Sequence, residues 1–152
     1  MARKPETTFI ASIHAKLPRV YFEKNHNEYL GGTADVFYSG IFGPLWIEYK
    51  FIPRIPVRVP VKANLSELQR KWLEDRHAEG RRVAVIIGCK EGGVWLEKED
   101  WGRELPPDEF RERLVTRATL ANRIHSITGD SPCRFPTQPS TRPKESTQST
   151  ES

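Results

Sequence analysis

The sequence contains few of the residues that build zinc clusters and disulfide frameworks, and it lacks the long apolar runs that span membranes. Only two cysteines, Cys89 and Cys133, and four histidines occur among its 152 residues, and their spacing matches no zinc site. No apolar run approaches the roughly 18 residues of a membrane helix, and the N-terminus shows no signal-peptide pattern. We therefore expect a cytoplasmic protein without a membrane partner.

The length and the charge suggest one domain that meets an anionic partner. The chain carries 24 Lys and Arg against 20 Asp and Glu, a formal net charge of +4. Residues 129–152 are rich in Ser, Thr and Pro and nearly devoid of apolar residues, which predicts a disordered tail after a domain spanning 1–128. This tail holds three basic and three acidic residues, so the positive excess belongs to the domain.

Apolar spacing and turn residues predict an α/β fold. The helix starting at Pro5 ends before Pro18, and prolines 53, 56 and 60 exclude an interior strand and predict an extended basic arm instead. The expected architecture is a mixed central β-sheet flanked by helices. The elements predicted after the first helix are strands at 20–24, 34–38 and 45–51, a helix over 64–79, strands at 82–88 and 94–96, and helices over 107–113 and 116–128.

Three charged residues stand in or next to apolar strands. Asp35 opens the second strand, while Glu48 and Lys50 lie in the third and, being two apart, share one face of it. Buried charges are costly unless they pair, bind a metal or take part in chemistry. If the two strands pair antiparallel, Asp35 lies near Glu48, and two carboxylates suit a hard cation such as Mg²⁺, with Mn²⁺ as a substitute.

This pattern resembles the PD-(D/E)xK nuclease superfamily. The signature reads Ala34-Asp35 followed by Glu48-Tyr49-Lys50, within a helix, three strands, a helix and a strand that span roughly residues 5 to 90. The name-giving proline is absent, because Ala34 occupies its position. The resemblance implies a restriction-endonuclease-like core with α-β-β-β-α-β order, and among its members the phage and archaeal Holliday-junction-resolving endonucleases are the most similar in size.

The resemblance also implies roles for the signature residues. Asp35, Glu48 and the backbone carbonyl of Tyr49 would hold the metal. Lys50 would position or activate the attacking water and offset charge on the phosphate. The competing interpretation is that Glu48 and Lys50 form a surface ion pair on an edge strand.

Two further residues fit the same site, each with a structural alternative. Glu6 lies on the buried stripe of the first helix, where related nucleases place another metal-site glutamate, but an acid in a first helical turn also complements the helix dipole. Gln69 fits the glutamine that related nucleases use to bind the scissile phosphate or a water. Ser66-x-x-Gln69 is equally a helix capping box.

The expected partner is DNA, bound by basic residues beside the site. Arg54, Arg58 and Lys62 on the proline-rich arm, and Lys24 at the end of the first strand, are the predicted phosphate contacts.

The sequence therefore predicts a Mg²⁺-dependent endonuclease that cuts branched DNA as a homodimer, in the host cytoplasm if it is phage-encoded. The alternatives are another nuclease of this fold, such as a nicking, repair or restriction-like enzyme, and a non-catalytic DNA-binding protein.

Overall fold

The computed structural model describes residues 4–25 and 31–133 as a sheet with helices on both faces. The order of elements is the predicted one, and most boundaries agree to within two residues. The elements are α1 (Pro5–His14), β1 (Tyr21–Lys24), β2 (Val36–Gly40), β3 (Gly43–Phe51), α2 (Glu67–Ala78), β4 (Val83–Cys89), β5 (Gly92–Leu96), a short 3₁₀ turn (Lys98–Asp100), α3 (Pro107–Arg113) and α4 (Arg117–Thr128).

The five strands form one mixed sheet in the order β1-β2-β3-β4-β5. The first three pair antiparallel as a meander, β3 and β4 pair parallel, and β5 returns antiparallel. A parallel neighbour requires a crossover, and the proline-rich arm and α2 supply it. The predicted fold class, a mixed central sheet flanked by helices in α-β-β-β-α-β order, is confirmed.

Strand β3 lies at the centre of the sheet and divides its side chains between two faces. Leu45, Ile47 and Tyr49 join the core formed with α1 and α4. Trp46 and Glu48 alternate with them and point to the opposite face, on which α2 lies. The alternative that Glu48 and Lys50 stand on an exposed edge strand is therefore wrong, because β2 and β4 flank β3 on either side.

Strand β5 ends the sheet, as predicted for the 94–96 strand, yet all its residues are buried. Its outer edge is covered because Gly93 and Val115 exchange backbone hydrogen bonds, each at 3.0 Å. Covering an edge in this way removes a site for unwanted strand pairing.

The folded part continues slightly past the predicted boundary at residue 128. The backbone oxygen of Asp130 accepts from Ile41 N at 2.9 Å, and Ser131 N donates to the Arg19 carbonyl at 2.7 Å. The predicted tail from residue 134 onward lies outside the described residues. Along the described parts of the chain, none of the helices has the length and apolar character needed to cross a membrane.

Candidate active site

The pairing of β2 with β3 brings two carboxylates together. Val36 of β2 pairs with Ile47 of β3. In this antiparallel register the next two residues, Asp35 and Glu48, lie opposite each other. Asp35 lies just before the start of β2. Its side-chain Oδ2, in place of a backbone carbonyl of a paired strand, accepts from the Tyr49 backbone N–H at 2.8 Å. Asp35 is thereby tied to the backbone between Glu48 and Lys50, and both carboxylates lie on the α2 side of the sheet.

Glu48 is almost completely buried, with 2% of its surface exposed. Its Oε1 accepts from Gln69 Nε2 at 2.8 Å and lies 3.7 Å from Lys50 Nζ. Its Oε2 is buried and has no hydrogen-bond partner among the described residues. A buried carboxylate oxygen without a partner is unfavourable, so this atom marks a position that a ligand would satisfy.

Gln69 forms the predicted capping box and also contacts two charged residues of the site. Its backbone N–H donates to Ser66 Oγ at 3.1 Å and its Oε1 accepts from the Ser66 N–H at 3.0 Å, which completes a capping box at the start of α2. The same Oε1 accepts from Lys50 Nζ at 2.9 Å, while Nε2 binds Glu48. The cap thus holds the amide in place between the acid and the base.

A glycine turn carries the chain to Asp35 past the start of α2. Gly32 has a φ of +96°, and a Cβ at this position would lie 2.4 Å from the backbone oxygen of Leu68. Any larger residue would be strained and would push the turn away from α2. Gly32 therefore allows the segment leading to Asp35 to approach the helix that carries Gln69.

Burial raises the pKa of both central carboxyls, and the charge of Asp35 raises the pKa of Glu48 further. The pKa of Glu48 rises to about 8, first because the group is buried and then because Asp35 carries like charge. The pKa of Asp35 is also raised by burial, against the lowering effect of its hydrogen bond from the Tyr49 N–H. Two adjacent buried acids cannot both ionise easily, so the pair favours retaining a proton until a cation compensates its charge.

Glu6, in the first turn of α1, adds a third acidic group near Asp35 and Glu48. It is half-buried, and its pKa is raised by burial and by the charge of Asp35. Its charge also raises the pKa of Glu48. The fold therefore places Glu6 within electrostatic reach of both carboxylates, although it lies on a helix that packs on the other face of the sheet.

The donor set fits a hard divalent cation that keeps part of its hydration. Among residues 4–25 and 31–133, no three Asp, Glu, His or Cys side chains are grouped closely enough to hold a metal ion by themselves. Mg²⁺ is commonly bound by one or two carboxylates and completes its shell with water and phosphate oxygens. Asp35 and the unpartnered Glu48 Oε2 match that requirement.

The predicted DNA-binding residues occupy different surroundings. Arg54 and Arg58 are exposed on the arm that follows β3. Lys62 is paired with Glu104 at 3.1 Å, so its charge is partly compensated. Lys24 is the cross-strand partner of Val36 and shares its face, where its charge lowers the pKa of His14. Strand alternation directs Lys24 to the face of Val36, yet at the end of β1 it also lines a cavity with Ala34, next to Asp35.

A buried hydrogen-bond chain behind the site was not found from the sequence. Tyr49 OH and Tyr38 OH lie 2.5 Å apart, and Tyr38 OH is 2.7 Å from His14 Nε2. Burial and the charge of Lys24 lower the pKa of His14 to about 3, so this ring is neutral. The chain anchors the Tyr49 side chain below the backbone that Asp35 contacts, and its residues lie too far apart in sequence to show a motif.

Comparison with known proteins reveals a similarity in overall fold. No protein-family model matches the sequence, and no curated protein matches it. The structure is similar to that of Archaeoglobus fulgidus Hjc, a Holliday junction resolvase from an archaeal hyperthermophile. The TM-score is 0.49 and the identity 12%, over 78% of this chain and 97% of the other. At this identity the two chains share too few residues for a function to be carried from one to the other.

Proposed function

We propose that this protein is a metal-dependent endonuclease that hydrolyses phosphodiester bonds in DNA. The observation that carries the proposal is the buried, unpartnered Glu48 Oε2 beside Asp35, with Lys50 Nζ 3.7 Å from the other oxygen of Glu48. A surface ion pair would leave neither a buried unsatisfied oxygen nor a raised pKa at the acid. An acid pair able to hold a cation, with an adjacent amine, suits phosphodiester hydrolysis because both cations would stabilise the charge on the phosphate.

Asp35 and Glu48 would hold Mg²⁺ or Mn²⁺, together with the Tyr49 backbone carbonyl. The ion would supply charge stabilisation to the phosphate and make a water easier to deprotonate. Asp35 is positioned for this task because the Tyr49 N–H fixes its Oδ2. Glu6 adds negative charge from α1 and favours a cation at the same place.

Lys50 and Gln69 would act on the substrate. Lys50 donates to Gln69 and also lies near Glu48, so its ammonium is held at the mouth of the site, where it would orient the attacking water and offset phosphate charge. Gln69 would keep Lys50 and Glu48 in their relative positions and offer its amide to a phosphate oxygen or water. The capping box limits the rotation of Gln69 and so preorganises all three groups.

The proposed substrate is branched DNA, in particular four-way junctions. The arm that leaves β3 directly after Lys50 exposes Arg54 and Arg58, which would follow the phosphate backbone without reading sequence. Symmetrical cutting of a junction needs two active sites, so the proposed active form is a homodimer. Sedimentation that finds only monomer, with and without junction DNA, would contradict the dimer.

The decisive experiment is cleavage of labelled four-way junction, nicked, single-stranded and linear duplex DNA in Mg²⁺. We expect the wild type to cut the junction fastest and Glu48→Ala to lose at least about 10³-fold in rate, because several kcal/mol of transition-state stabilisation would disappear. The matched control is Glu112→Ala, which changes an exposed glutamate of α3. Equal cutting by Glu48→Ala and the wild type would show that the active site lies elsewhere.

The same experiment separates the two rival functions. A preference for nicked or linear DNA over the junction would favour a nicking, repair or restriction-like nuclease. Binding of DNA by a folded wild type without cleavage in either Mg²⁺ or Mn²⁺ would favour a non-catalytic DNA-binding protein. The raised pKa of Glu48 argues against the latter, because a protein that only binds DNA gains nothing from a buried, repelling acid pair.

A further inference from the structure

The face of the sheet that carries the acid pair also carries a pair of aromatic rings. Phe37 and Trp46 are direct cross-strand partners on β2 and β3. Each stands two residues along its strand from one of the carboxylates, Phe37 from Asp35 and Trp46 from Glu48, so each lies about 7 Å away on the same face. Asp35 and Glu48 form one cross-strand pair, and Phe37 and Trp46, the aromatic rung, form another beside it.

The aromatic rung is held rigidly yet remains accessible. The ring centroids of Phe37 and Trp46 are 5.0 Å apart, and Trp72 of α2 contacts Trp46 edge-on at 6.3 Å. Both Phe37 and Trp46 are half-buried, because α2 covers β3 and, among residues 4–25 and 31–133, no other helix covers the β1–β2 side of this face. Rings fixed in this way lose little conformational freedom when a flat ligand stacks on them.

A cavity of about 440 Å³ lies over the two rings and beside Asp35. Its wall includes Glu23, Lys24, Asn25, Thr33 and Ala34, the residue directly before Asp35. Glu23 is the cross-strand partner of Phe37, and it brings a negative charge to the open face. The cavity thus combines an aromatic floor with polar groups at its edge.

We propose that this cavity binds an unpaired nucleobase of the DNA substrate next to the bond that is cut. This inference rests on the proposed nuclease function. Every base presents a π-face that can stack on Phe37 and Trp46, while Glu23 and Thr33 offer hydrogen-bond partners to its edge. Glu23 offsets the charge of Lys24 at the edge of the cavity, and the aromatic floor favours an uncharged base over a phosphate.

The base site gives the enzyme a physical reason to prefer branched DNA. In a continuous duplex the bases are paired and stacked, so placing one in the cavity would cost unstacking energy. In a short flap a base is already unpaired, and at a branch point continuous stacking is interrupted, so a base reaches the cavity at a lower cost. Because the stacked base would lie about 7 Å from the acid pair, the scissile phosphate next to it would lie at Asp35 and Glu48.

The test compares two DNAs that differ only in the presence of one base. Both carry a single unpaired nucleotide at a branch point, either a normal thymidine or an abasic residue, and binding is measured without divalent cations so that no cleavage occurs. We expect the wild type to bind the thymidine DNA about 10-fold more tightly. Phe37→Leu and Trp46→Leu should reduce this ratio to near 1, whereas Trp46→Tyr should keep most of it.

The matched control is Phe42→Leu, the same change at an exposed phenylalanine of the β2–β3 turn, which should keep the wild-type ratio. Thermal melting confirms that each variant is folded, and Phe37→Leu carries the test if Trp46→Leu does not fold. Equal binding of both DNAs by the wild type would overturn the base site alone. Failure to bind either DNA would overturn the nuclease proposal as well.

Discussion

Gln69 donates from Nε2 to Oε1 of Glu48 at 2.8 Å, while the second oxygen of that carboxylate stays buried without a partner. The protein therefore supplies a hydrogen-bond partner to Oε1 of Glu48 and leaves Oε2 as the oxygen that a cation would contact.

Removing the charge of Glu48 should stabilise the metal-free protein at alkaline pH. The pKa of Glu48 is about 8 in the folded protein, against an ordinary value of 4.5, so its stabilising contribution is complete below pH 4.5 and is lost as the pH rises through 8. Glu48→Gln does not titrate, and we expect it to be more stable than the wild type by about 2 kcal/mol at pH 8.5. Urea unfolding in EDTA measures this difference, and Glu112→Gln should show none.

Binding of Mg²⁺ should tighten as the pH rises. The raised pKa values of Asp35 and Glu48 mean that protons compete with the cation for the same oxygens. The Mg²⁺ concentration that gives half of the maximal rise in Tm should fall by up to about tenfold per pH unit between pH 6 and 8. A concentration independent of pH, or an equal Mg²⁺ response in Glu48→Gln, would show that the ion binds elsewhere.

The two functions of Gln69 can be separated by mutation. Ser66→Ala removes the cap hydroxyl and should cost about 1 kcal/mol of stability while leaving most of the cleavage activity. Gln69→Ala should lose a similar stability and, in addition, about 10- to 100-fold in kcat, because Lys50 and Glu48 lose their shared partner. Denaturant unfolding and single-turnover cleavage measure the two quantities. Parallel losses of activity in both variants would indicate that Gln69 is only a cap.

Neutralising Lys50 should affect the chemical step more than binding. Lys50→Met keeps the length of the side chain and removes the ammonium, and we expect the cleavage rate to fall by about 10²- to 10³-fold. DNA affinity should change little, since one phosphate contact contributes modestly to a charged interface. Lys71→Met, at an exposed position of α2, is the control and should cleave at the wild-type rate. An equal loss of affinity and rate would instead make Lys50 a binding residue.

The half-buried His14 should make the protein sensitive to acid. Its pKa is about 3 in the folded protein and 6.5 ordinarily, so below pH 6.5 the unfolded chain takes up a proton that the native state does not. The free energy of unfolding should therefore fall as the pH drops from 6.5 toward 3. His14→Phe should reduce the slope of this fall by up to about 1.4 kcal/mol per pH unit. Exposed His77→Phe should keep the wild-type slope. The curves come from urea unfolding at a series of pH values.

Much of this architecture is encoded in local sequence patterns. Apolar spacing, prolines and glycines place the helices and strands, because these signals act over a few residues and need no partner. Side chains alternate between the two faces of a strand, so the sequence alone puts Glu48 and Lys50 on one face of β3 and Ile47 and Tyr49 on the other. The charged residues Asp35, Glu48 and Lys50 are recognisable in the same way, since charge in an apolar strand is rare.

Tertiary structure decides the contacts of the site residues, because these contacts depend on the register between distant segments. Only the pairing of β2 with β3 makes Asp35 bind the Tyr49 N–H, and only the packing of α2 joins a capping glutamine to Lys50 and Glu48. Lys24 shows the limit of local reasoning, because the pairing of β1 turns it toward His14. Burial, which sets the pKa of Glu48 and leaves its Oε2 without a partner, is a property of the packed molecule and of no single segment.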